Sequence, residues 1–160
     1  MNWKQEVADA VIAIDDVNAN PAILTYRIND RGGLLGGLDK IISIHRELKV
    51  KSPRMMSERL IDGTERKAGD LVCQVSYTQL QAAHRAKDGD PAIVVNGVTK
   101  NLAEVRPFMA QLGMNNNIRW GIDIGDDTLT IGGDEWVIVG VEAEQWLAGE
   151  PARFTLRLRK

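Results

Sequence analysis

Ser43 and His45 stand two residues apart, the spacing that puts two side chains on one face of a strand. A serine activated by an imidazole needs a sharp strand-to-helix elbow, which Ser43-Ile44-His45 lacks, so both read as surface polar residues. The run Gly32-Gly33-Leu34-Leu35-Gly36-Gly37 has the glycines of a phosphate-cradling loop, but Leu38-Asp39-Lys40-Ile41 follows in place of a Lys-Ser/Thr pair. Asp123, Asp126, Asp127 and Asp134 are hard oxygen donors that lack the alternating spacing and distal glutamate of a calcium loop; they read as turn residues.

Cys73, His45 and His84 are too few and too scattered for a zinc site, and Cys73 lies among alternating apolar residues that make it a small core hydrophobe. A carboxylate pair for glycoside hydrolysis would sit in a cleft rich in aromatics, and the chain has four Trp, two Tyr and two Phe in all. Trp3 and Trp136 fall on apolar parities, which favours core or interface roles over stacking on a base or sugar. No catalytic residue, metal ligand or cofactor site is expected.

Charge points the same way. Twenty basic and twenty-two acidic residues in 160 leave a net charge of -2, so nothing global draws the chain to nucleic acid or to an anionic membrane. The start, Met1-Asn2-Trp3-Lys4-Gln5-Glu6, lacks the pattern of a signal peptide, no run approaches a membrane span, and the lone cysteine suits a reducing compartment. Locally the charge is uneven. Asp123, Asp126, Asp127, Asp134, Glu135, Glu142, Glu144 and Glu150 face only Arg119 over residues 119–150, whereas Arg153, Arg157, Arg159 and Lys160 reverse the sign.

The elements that must position these residues are mostly strands. Trp3, Val7, Val11 and Ile14 repeat at helical spacing behind Asn2, which predicts an amphipathic helix over 3–17, ended by Asn18-Ala19-Asn20-Pro21. The period then becomes two. Residues 22–28 and 42–50 read as strands, the second with Arg46 on its apolar parity and His45 on its wet face. A strand from Met55 to Ile61 should reach a hairpin turn at Asp62-Gly63, and Leu71, Cys73, Val75 and Tyr77 alternate again. A short helix is expected from Thr78 to about Ala86, capped by Thr78.

Residues 92–99 read as a hairpin turning at Asn96-Gly97, and the helical spacing of 102–112 is interrupted at Pro107. Strands follow over 118–124, 128–131, 136–141 and 153–159, with a turn at Gly132-Gly133-Asp134. The expectation is a single mainly β domain over 1–160: a small barrel or sandwich over about 22–160 with an insertion at about 92–124, the N-terminal helix, and one or two short helices. Leu34 and Leu35, held between glycine pairs, are expected either to fold back as a plug on their own barrel or to dock on a neighbouring subunit or the portal, and Trp146, in the connection Glu144 to Gly149, is the tryptophan expected to be exposed or to meet a partner.

One ordered set of motifs goes beyond composition. Leu60-Ile61-Asp62-Gly63-Thr64 with Ala68-Gly69-Asp70-Leu71 comes first, then Gly125-Asp126-Asp127-Thr128-Leu129-Thr130-Ile131-Gly132-Gly133-Asp134-Glu135-Trp136 running on to Val141, then a closing strand from Arg153 to Arg159. This order resembles the head-to-tail connector proteins of tailed bacteriophages, the neck or head-closure stopper proteins, over about half the chain. The resemblance implies a non-enzymatic virion protein that assembles in the host cytoplasm and forms a ring, a hexamer or dodecamer, between the portal or adaptor and the tail proteins. DNA would pass through that ring without specific binding. Asp123, Asp126, Asp127, Asp134 and Glu135 would then form an acidic lumen face that repels phosphates. The alternatives are another phage tail-completion protein, a soluble β-barrel module for a small ligand or peptide, and a hydrolase assembled from scattered carboxylates.

Overall fold

The computed structural model describes residues 19–30, 40–55, 70–95, 97–108, 117–147 and 149–160. The expected helix over 3–17, the Leu34 and Leu35 loop, the continuation from Met56 through the Asp62-Gly63 turn, and the helical run beyond Phe108 lie outside these residues.

Alternation builds the frame. In β1 (Ala19–Asp30), Ala22, Leu24, Tyr26 and Ile28 are buried, and in β2 (Lys40–Met55), Ile44, Arg46, Leu48 and Val50 are buried. The two strands pair antiparallel without a break, from Ala19 opposite Lys51 to Asp30 opposite Lys40, so the two inward sets face one interior. The remaining long strands are β3 (Leu71–Ser76), β8 (Thr128–Ile131), β9 (Asp134–Leu147) and β10 (Glu150–Arg159). The cyclic order is β1-β2-β3-β10-β9-β8, and β8 returns to pair with β1, so every long strand has two neighbours and the antiparallel sheet closes on itself.

Leu24, Leu129, Ile138, Phe154, Leu156 and Leu158 fill the interior at essentially zero exposure. Each such side chain contributes about 1.5–3 kcal/mol on burial, and together they leave the barrel a packed core rather than a pore. Closure needs one irregularity. Arg157 pairs with Gly140 but Leu158 pairs with Ile138, so Val139 is an extra residue that keeps Val141 and Ile138 both facing inward. The Arg157 guanidinium lies across Gly140, where a Cβ would stand 3.2 Å from its terminal nitrogen, and it donates to the Val139 carbonyl.

At Ser76 the chain leaves the barrel and does not return until Thr128. This excursion packs its Tyr77, Phe108 and Trp120 on Phe154 at one end of the barrel. It begins earlier than the expected insertion because the first helix belongs to it. That helix, α1 (Tyr77–His84), is capped by Ser76, whose hydroxyl accepts the Gln79 N–H, rather than by Thr78. Tertiary context set the cap: Ser76 is the last paired residue of β3 and already extended, whereas Thr78 is drawn into the first turn.

The rest of the excursion is two small hairpins and one turn of helix. β4 (Ile93–Val95) and β5 (Val98–Lys100) form the expected first hairpin. α2 (Leu102–Val105) carries a reciprocal cap between Asn101 and Glu104 and stops before Arg106-Pro107, where the proline disfavours another helical residue. The run 118–124, expected as one strand, is instead the hairpin β6 (Ile118–Arg119) and β7 (Ile122–Asp123). Trp120 and Gly121, at φ 53° and 78°, make the two-residue turn that divides it.

Candidate functional site

Two buried arginines anchor the excursion to the barrel. Arg106 forms a two-pronged ion pair with Asp127, its nitrogens 2.6 and 3.1 Å from the two carboxylate oxygens, and also donates to the carbonyls of Arg27 and Gly121. Asp127 is fully buried and accepts the N–H groups of Arg27 and Asp123, each at 2.9 Å. Charge and hydrogen bonding are therefore satisfied together, the condition under which a buried ion pair is tolerated. Tyr26 lies beside this pair. Burial, then the Asp127 charge, pushes its hydroxyl well above the ordinary range.

Arg46 is the second anchor. Its inward position in β2 carries the guanidinium into the excursion, where two nitrogens meet the Asp90 oxygens at 2.8 and 2.6 Å and Nε donates to the Ala83 carbonyl. Hydrogen bonding from Arg46, joined by the Lys87 N–H, holds the Asp90 carboxyl below the usual carboxylate range against the opposing cost of burial. At the other barrel end Arg159 grips Asp70, both contacts 2.9 Å.

Between the anchors lies an aromatic lid. Phe154, at the barrel mouth, stacks on Tyr77 and meets Trp120 with ring centroids 5.0 Å apart, and Phe108 packs edge-on against all three. His84 is buried beside Phe108 and bonds through Nε2 to the Arg106 carbonyl.

The five acidic residues expected on one lumen face do not share a face. Asp127 is inside the core, because Arg106 and two backbone N–H groups compensate its charge there. Asp123 is half-buried, 3.8 Å from Arg106; desolvation raises its carboxyl pKa and the arginine opposes the rise. Asp126 is exposed at the lidded end of β8, whereas the exposed Asp134 and Glu135 follow the Gly132-Gly133 turn at the opposite end. Asp134 also pairs with Lys160 at 3.4 Å.

Trp146 is not in a connection. β9 runs through Leu147, and the Trp146 backbone pairs with Pro151, while its side chain is outside what is described. Leu34 and Leu35 lie outside the described residues.

His45 is exposed as expected, and its Nδ1 is 2.9 Å from the hydroxyl of Thr25, a cross-strand neighbour, rather than engaged with Ser43. Cys73 is buried, and desolvation pushes its thiol up to about 12, which leaves it almost no thiolate at neutral pH. Among the described residues no group of three or more His, Cys, Asp and Glu side chains is gathered to hold a metal ion. No helix among them is long and apolar enough to cross a membrane.

A groove of about 760 Å³ lies on the outside of β8, β1 and β2, lined by Pro21, Ile23, Glu47, Lys49, Thr130 and Gln79. Gln79 belongs there for a structural reason. Extending the Lys51–Gln74 register would set Lys49 opposite Ser76, but Ser76 has turned into the helix cap, so the Gln79 side chain accepts the Lys49 N–H at 2.6 Å in its place.

The sequence carried one sign of the anchors, Arg46 on an apolar parity; Arg106 has no comparable signal. Comparison with protein-family models, with curated proteins and with solved structures finds no match to this chain.

Proposed function

We propose that this chain is a non-enzymatic structural subunit of a tailed-phage neck that joins the portal or adaptor to the tail proteins as a ring, in the virion, after assembly in the host cytoplasm. The observation that carries the reading is the adjacency of the motifs behind the connector resemblance. The Leu71–Val75 strand, the Arg153–Arg159 strand and the Gly125–Val141 hairpin, far apart in sequence, are consecutive in the sheet order β3-β10-β9-β8. Motifs that recur in order and also pair with one another behave as one unit, which scattered turn-and-strand grammar would not.

The packed interior adds a constraint. DNA cannot run through one subunit's barrel, so the passage lies between copies, six or twelve of them, and the exposed Asp126, Asp134 and Glu135 supply what acidic lining this chain offers. Weak contact with phosphates suits a passage that must not trap the genome. The subunit needs no cofactor and no membrane.

A second reading, a β-barrel module for a small ligand or peptide, is favoured by the groove of about 760 Å³. Native mass measurement of the chain alone and mixed with portal particles separates the two. A closed ring, or portal-dependent assembly, is the expected result; a monomer that ignores portal and takes a ligand into the groove supports the module. Replacing Leu34 and Leu35 together with Ser separates their two readings: lost assembly with an unchanged melting temperature supports docking on a neighbour, and a fall of several degrees with assembly intact supports a plug on their own barrel.

A further inference from the structure

We draw no further inference here: the strongest candidate, the groove of about 760 Å³ over the outer faces of β8, β1 and β2, carries none because nothing among the described residues shows what covers it.

Discussion

Arg106, the residue before Pro107, and Asp127, the residue before β8, are twenty-one positions apart and meet inside the protein as a two-pronged ion pair at 2.6 and 3.1 Å. The pair closes residues 106–127, the second part of the excursion between β3 and β8, into a loop, and through the Arg27 N–H and carbonyl it ties that loop to β1.

Breaking one side of this pair strands the other charge in the core. Arg106→Met and Asp127→Leu are each expected to cost about 3–5 kcal/mol, the usual penalty for one orphaned member of a buried ion pair. The double substitution should cost less than the sum of the two, although the N–H groups of Arg27 and Asp123 remain without their acceptor. Urea unfolding of the three variants checks the coupling.

The Arg46 and Asp90 anchor makes stability depend on acid. Because Arg46 holds the Asp90 carboxyl below its unfolded value of about 3.9, the stability from this group is complete above that pH. It is lost as the pH falls through the lower folded value. Arg46→Met should flatten this limb of a plot of melting temperature against pH. Asp123 has the opposite sign: its folded pKa is raised, so its ionised form opposes folding at neutral pH. Asp123→Asn is therefore expected to raise the melting temperature slightly at pH 7, with the gain vanishing below the carboxylate range.

Gly121 turns β6 into β7 at φ 78°, and a Cβ there would stand 2.7 Å from the His84 ring. Gly121→Ala is expected to destabilise by about 1–3 kcal/mol through the left-handed backbone alone, with the ring contact adding to it. Combining it with His84→Ala should recover the contact part and leave the backbone part, which a double-mutant cycle by thermal unfolding resolves.

Cys73 tests the packed interior. The thiol is 1% exposed in β3, so a thiol reagent should label it only at the rate of unfolding. Cys73→Ser, which leaves a hydroxyl without a partner in that apolar site, is expected to cost about 1–3 kcal/mol. Cys73→Ala should cost less, and denaturant midpoints rank the two.

The sequence by itself determined the local grammar. Period-two alternation in 22–28, 42–50, 71–77 and 153–159 marks buried strands because side chains alternate across a pleated sheet, and Gly132-Gly133 marks its turn because only glycine enters both left-handed positions freely. Even Arg46 was legible as an anomaly in an otherwise apolar register. What only the tertiary structure decided is which residues meet. The closure of β8 on β1 and the Arg106–Asp127 pair join segments separated by about a hundred and by twenty-one positions, and no local pattern encodes such distances. The same reason moved Asp127 from an expected acidic face into the core: composition records a carboxylate, but whether it faces water or an arginine depends on a partner brought from elsewhere in the chain.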